Sequence, residues 1–393
     1  MTKKAILVIF LLFSTKWSIA TPSHTSYVSS AETTRRDALA NFIAAHQVYG
    51  GGFVCSLIED VPSIYGAYLA LNSLKILDRV SIIDTDSLLD FIMSLYDSGK
   101  FRCQPNIDEV YIYETYEAIE SLKILSRLDM IDKDAVIDWL LSMYVPEVGL
   151  FYAHYEPDGS KEDLYLPFGT ATAVFALDLL GALDRINKTK TINALYKYTY
   201  DKESGLFLEI GINPLKENYY FIKALKILGG INETIAYRNA FTVIQYYDPD
   251  TGLSVDGKVS FTHSIVETLY MLGYGDQVNI TKTAETILSL QEHKYGSFYT
   301  ILNMNDIGDL GTVMYALKLI ARANMTDRLD EFFVVYEEPR YTGDWPNIED
   351  DNENDGSEQD GFWPGLLVLI GVIDLMVVSI AYIVNKRFFK RGC

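Results

Sequence analysis

Residues 49–60 read YGGGFVCSLIED, three glycines in a row after a helical run and just before an acidic pair. A loop that cradles phosphate would need Gly-x-x-x-x-Gly-Lys-Ser/Thr, or Gly-x-Gly-x-x-Gly between a strand and a helix. No Lys-Ser or Lys-Thr follows here, and the preceding DALANFIAAHQ (37–47) has helical rather than strand periodicity. The stretch instead recurs. Gly-x-Phe returns at 99–101, 149–151, 205–207 and 296–298, with a weakened copy at Gly252-Leu253-Ser254. From Gly51 onward the spacings are 48, 50, 56, 47 and 44 residues, so the chain is built on an internal repeat.

Each copy has the same neighbours. An amphipathic run such as LLDFIMSLY (88–96) or VIDWLLSMY (136–144) precedes it, and a second such as IESLKIL (119–125) or IKALKIL (222–228) follows. Leu, Ala and Lys at spacings of three and four mark both runs as helices. The unit is helix, turn, Gly-x-Phe, loop, helix, about 48 residues long. Its glycine permits a tight corner, and its aromatic ring can plug the seam between neighbouring repeats. Six such pairs can stack as an open solenoid or close into a ring.

The Gly-x-Phe corners, beginning with Gln47-Val-Tyr-Gly-Gly51-Gly-Phe53, resemble the repeat of prenyltransferase β subunits and squalene or hopene cyclases. That resemblance covers about residues 35–336. It implies an all-α, six-repeat α/α toroid with one helix of each pair lining a central cavity. The family's catalytic centres do not carry over. There is no zinc-binding Asp-x-Cys, and the nearest approach to the acidic Asp-x-Asp-Asp box is Asp84-Thr85-Asp86-Ser87, at an outer helix start. No cofactor or metal is implied.

The ends carry separate signals. Lys3 and Lys4, the apolar AILVIFLLF and the small residues Ser18-Ile19-Ala20 read as a signal peptide over residues 1–20. A Ser/Thr-rich linker (21–34) leads into the repeat domain (35–336). From Glu337 to Asp360 there are ten acids and one Arg, the mark of a self-repelling stalk assigned to 337–362. Residues 363–384 are long and apolar enough to span a bilayer once, and Lys386, Arg387, Lys390 and Arg391 in the tail 385–393 place the C-terminus in the cytoplasm. GFWPG, the apolar span and the basic cluster also resemble the C-terminal sorting signals of some prokaryotic surface proteins. The chain is expected at the cell membrane, its bulk extracytoplasmic. Setting aside the seven basic residues of the two ends and Asp374 leaves 26 cations against 52 acids, which argues against nucleic acid as a partner. Asp374, midway along the span, costs about 2.5–3.5 kcal/mol or more there, and either is tolerated as one protonated Asp in a very apolar span or meets a transmembrane partner or a second copy.

Within the repeat domain, aligned inner helices give one unusual column: Gly66, Glu114, Gly169, Glu217, Phe261 and Asp309. Its acids are either helix-start residues in a favourable dipole or a cluster at the cavity mouth able to bind a cation or do acid–base work. Tyr65, Tyr113, Tyr116, Phe168, Tyr219 and His263 adjoin them as candidate ligand contacts, with His263 a further candidate for catalysis. Cys55 and Cys103 occupy equivalent positions in adjacent repeats and are expected to form a disulfide. Asn187, Asn232, Asn279 and Asn324 each begin an Asn-x-Thr sequon in what reads as one repeat column, where they serve glycosylation, helix capping or both. Asp351–Phe362 starts like a calcium loop but ends without the bidentate Glu, and Asp248-Pro-Asp250 reads as a turn. The expected function is a surface module binding a small molecule, glycan or surface protein. The alternative is an exported enzyme, acting on an isoprenoid or on carbohydrate through paired carboxylates.

Overall fold

The computed structural model describes residues 31–340 apart from 60, 109, 153, 156–166, 210–212, 303 and 305. The expected signal peptide, the stalk beyond residue 340, the span with Asp374 and the basic tail lie outside the described residues. Among those described, no helix is long and apolar enough to cross a membrane.

The domain is mostly helical and forms an α/α toroid. Helices α1 (Arg35–Ala44), α3 (Thr85–Ser94), α5 (Lys133–Ser142), α7 (Lys188–Thr199), α9 (Glu233–Val243) and α11 (Ile280–Ser289) make the outer layer. Helices α2 (Ile64–Leu77), α4 (Ile112–Ile124), α6 (Pro167–Leu179), α8 (Pro214–Leu228), α10 (Val259–Leu272) and α12 (Leu310–Arg322) make the inner one. Each inner helix packs on the next, and α12 packs back on α2, so the inner layer is a closed ring.

The Gly-x-Phe corners set this geometry. Phe53, Phe101, Phe151, Phe207 and Phe298 are fully buried. Their backbone is pinned from the inner helices: Phe101 N–H donates to Thr115 Oγ1 (3.3 Å), Phe151 N–H to Thr170 Oγ1 (2.9 Å) and Phe207 N–H to Asn218 Oδ1 (3.0 Å). The weakened corner keeps the bond, Ser254 N–H donating to Thr262 Oγ1 at 2.8 Å. Every corner glycine has a positive φ, and most abut the next outer helix: a Cβ on Gly99 would lie 2.3 Å from the Ala135 carbonyl of α5. The sixth, Gly296, abuts Ala38 of α1 at 2.8 Å, which brings the last corner against the first helix.

The chain ends meet at that seam. Strand β1 (Ala31–Thr34), formed by the end of the stretch expected as linker, pairs antiparallel with β2 (Phe332–Val335), Ala31 opposite Val335. Arg36 joins Asp330 Oδ1 (2.6 Å), the Thr326 carbonyl (2.7 Å) and the Leu77 carbonyl (2.9 Å).

Two expectations are corrected. Cys55 and Cys103 form no disulfide. Cys55 Sγ lies 3.9 Å from Ser63 Oγ, while the Cys103 carbonyl accepts from Ile64 N–H at 2.8 Å. Equivalent positions in adjacent repeats are an interhelical distance apart, roughly 8–10 Å, and a disulfide needs Cα atoms within about 7 Å. The sequons, secondly, do not share one column. Asn187, Asn232 and Asn279 cap α7, α9 and α11, each side chain accepting an amide at 3.0 Å. Asn324 instead follows the C-terminus of α12 with φ of 55°, in the left-handed position that Asp78 and Ser126 hold in earlier repeats.

Candidate functional site

The inner helices border two open chambers. The first, about 290 Å³, lies between the N-terminal halves of α2, α4, α6 and α8. Tyr65, Tyr68, Tyr113, Tyr116, Phe168 and Tyr220 give it aromatic walls, and Glu114, Glu117 and Lys216 supply its ionisable groups. The rings form a continuous belt that runs through Phe175: Tyr65 on Tyr68 (centroids 6.4 Å apart), Tyr68 on Tyr116 (6.2 Å), Tyr116 on Phe175 (5.5 Å), Phe175 on Tyr220 (6.0 Å) and Tyr220 on Phe168 (4.8 Å). Of the residues expected to contact ligand, Tyr65, Tyr113, Tyr116 and Phe168 line this chamber. Tyr219 and His263 line the other.

The acid column does not act as one cluster. Asp309 caps α12, its Oδ1 accepting the Thr312 amide (2.8 Å) and hydroxyl (3.0 Å). Glu217 accepts the Glu209 amide at 2.8 Å and the Asn213 amide at 3.5 Å. Both are spent on backbone, as helix-start acids commonly are. Glu114 differs. It is 5% exposed, lines the chamber, and its Oε2 has no hydrogen-bond partner among the described residues. Burial pushes its carboxyl up to about 8. Glu117, one turn along α4, is raised well above the usual range by burial and then by Glu114. Burial also lowers Lys216, against the pull of Glu117 and Asp309. At neutral pH the chamber therefore holds carboxylic acids that can donate hydrogen bonds, set among aromatic faces. Glu209 at its margin accepts the Phe168 amide at 2.9 Å and is pushed up to about 7 by burial.

Glu117, Lys216, Tyr68, Tyr220 and Glu209 were not among the sequence candidates. A signal existed for most of them: Glu114-x-x-Glu117-x-x-Glu120 on α4, Tyr65-x-x-Tyr68 on α2 and Lys216-x-x-x-Tyr220-x-x-Lys223 on α8 each mark a single helix face.

The second chamber, about 410 Å³, is lined by Ile76, Tyr219, His263, Glu267, Lys318 and Arg322, with Ala321. His263 is 2% exposed and packs edge-on to Tyr219 (5.4 Å) and tilted against Tyr315 (4.8 Å). Burial, then Lys318, Lys223 and Arg322, hold its imidazole neutral. Arg322 forks onto Glu267 at 2.9 and 2.6 Å. A larger concavity, about 860 Å³, lies at β1 and β2, lined by Glu32, Tyr295, Tyr336 and Arg340 among others. Among the described residues no His, Cys, Asp and Glu group has the arrangement to hold a metal.

The sequence matches the family model of the prenyltransferase alpha-alpha toroid domain over residues 10–159, 113–217 and 172–337. No curated protein matches it. Among solved structures, protein geranylgeranyltransferase-I of Candida albicans, complexed with GGPP, superposes with a TM-score of 0.57 at 16% identity, covering 68% of this chain and 85% of that one. The type II terpene cyclase MstE from Scytonema gives 0.53 at 11%, covering 74% and 98%. A protein from Actinoplanes gives 0.53 at 16%, covering 73% and 98%. At these identities the likeness is one of fold.

Proposed function

From the premise that this chain belongs to the prenyltransferase alpha-alpha toroid family, we propose that it is a ligand-binding member whose site is the aromatic chamber. The carrying observation is Glu114, a buried carboxyl held near 8 with one oxygen unpartnered, beside Glu117 and a wall of rings. Such a pocket suits an apolar body with an uncharged, hydrogen-bond-accepting head. It disfavours a diphosphate, because among the described lining residues Lys216 is the one cation, its charge is weakened by burial, and two carboxyls beside it would repel the anion whenever they ionise. The ligand class is a short isoprenoid alcohol or a compound of like shape. Calorimetry on the full chain in mild detergent, with geraniol and geranyl diphosphate, tests this. Geraniol should bind saturably, and about tenfold more weakly in Glu114→Leu. Equal or tighter binding of the diphosphate, or an unchanged Glu114→Leu, rules the reading out.

One observation favours a second reading. An acid that keeps its proton near neutral pH is what protonation of a double bond requires, so the chamber also suits an isoprenoid-processing enzyme. New products from geraniol, formed by the wild type and lost in Glu114→Gln, would decide for it. The carbohydrate alternative loses its support, since Glu217 and Asp309 are bound to backbone.

We also read the ring as six copies of one repeat, carried outside the cytoplasm on an acidic stalk and a single C-terminal span. The repeat count rests on the corners from Gly51 to Gly296, and the membrane placement on residues 1–20 and 337–393 of the sequence. Alkaline extraction should leave the full chain with the membrane and release a chain ending at residue 345. Release of both would sink it.

A further inference from the structure

We infer that the second chamber is a binding site for a small organic phosphate. Its construction differs from that of ordinary helix ends. Lys75, Lys123 and Lys226 sit exposed in the last turns of α2, α4 and α8, where they complement the helix dipoles. Lys318 and Lys223 lie a turn or more inside α12 and α8, and both are half-buried. Neither ammonium makes an ion pair with a carboxylate among the described residues. Lys223 Nζ meets the Tyr116 hydroxyl at 3.5 Å and the Tyr116 and Phe175 rings at 5.6 and 4.2 Å from their centroids.

The surrounding acids are committed or remote. Glu267 is taken by the Arg322 fork, while Glu120 and Asp178 act on the lysines only through space. Burial, followed by repulsion from Lys223, lowers Lys318 to about 8. A dianion beside the Lys318 ammonium would offset that repulsion and favour its charged form. Buried His263 adds a ring whose Nδ1 has no partner among the described residues. The Lys318 ammonium on the lining, with Lys223 adding positive charge through space, and an imidazole suit a tetrahedral phosphate, whereas the planar fork that selects a carboxylate is already occupied. A cavity of about 410 Å³ leaves room beyond the phosphate for a small organic body.

The test is a calorimetric titration of the full chain in mild detergent with glycerol 3-phosphate, inorganic phosphate and acetate. Glycerol 3-phosphate should saturate one site and bind more tightly than inorganic phosphate, with acetate weakest. Lys318→Met should weaken glycerol 3-phosphate at least about tenfold. Lys75→Met, at an exposed position outside the lining, should leave it unchanged. Removing an unpaired half-buried ammonium should not harm folding; if Lys318→Met does not fold, Lys318→Gln carries the same comparison. A flat wild-type titration overturns the proposal. So does equal weakening by Lys318→Met and Lys75→Met, which would mean diffuse surface charge, and so does acetate binding as tightly as phosphate. The two chambers are lined by different residues, so geraniol and phosphate binding stand or fall separately.

Discussion

Glu114 shows how one buried carboxyl sets the chemistry of a chamber and taxes the fold that holds it. Its folded-state value, about 8, lies above the ordinary 4.5, so between those values the folded protein keeps a proton that the unfolded chain has lost. Rising pH therefore favours unfolding. The contribution is fully present below about 4.5, is lost as pH climbs through 8, and amounts to roughly 3–5 kcal/mol at about 1.4 kcal/mol per tenfold in proton affinity. Urea melts of wild type and Glu114→Gln across pH 5–9 should give a stability difference that drifts against the wild type by that order. Glu209 moves in the same direction but occurs in both proteins and largely cancels, while Glu117 loses the part of its rise that Glu114 causes, which adds to the drift in the same sense. A difference that stays flat would mean that Glu114 is solvated. The position was visible in the sequence as an oddity in an aligned column, but its partners were not. Asp309 and Glu217 share that column and turn to backbone amides, because orientation within a first helical turn depends on which donors the preceding loop presents.

At the level of the element, the corner does most to specify the fold, and the sequence announces it. Gly-x-Phe combines a left-handed residue with a ring that is fully buried at every corner that carries it. The six glycines are not equivalent. A Cβ at Gly99 would strike the Ala135 carbonyl at 2.3 Å, whereas at Gly205 the nearest atom, in Arg238, is 3.5 Å away. Gly205→Ala should then cost only the conformational strain, about 1–2 kcal/mol, while Gly99→Ala must also move α5 and should cost at least twice that. Thermal melts of the two variants check the order, and equal losses would remove close packing as the reason for Gly99. Capping was equally legible: Asp84, Asp132, Asn187, Asn232 and Asn279 all accept first-turn amides as their residue types suggest. Spacing alone misled at Cys55 and Cys103, where equal repeat position was taken for bonding distance. It misled also at Asn324, where an Asn-x-Thr string falls in a left-handed cap rather than a helix start.

Whether stacked helix pairs close or stay open is a property of the whole molecule, which periodicity could not decide and the family resemblance did. The structure closes the ring with contacts between residues nearly 300 positions apart, Arg36 with Asp330 and β1 with β2. An open solenoid frays from its ends, because each terminal unit has a neighbour on one side only. A ring has no such ends, so α1 and α12 should exchange backbone amides as slowly as α6. Arg36→Ala removes a largely buried guanidinium that holds Asp330, Thr326 and Leu77 together. It should cost about 2–3 kcal/mol, the size of a lost charged hydrogen-bond set. More tellingly, it should turn the ring into a solenoid whose exchange is fastest in α1 and α12 and slowest near α6. Hydrogen–deuterium exchange by mass spectrometry reads both states. If α1 and α12 already exchange ahead of α6 in the wild type, the seam is weak and closure contributes little. If Arg36→Ala lowers protection evenly around the ring, the seam holds without Arg36, and the strand pair with the Gly296–Ala38 contact carries the closure.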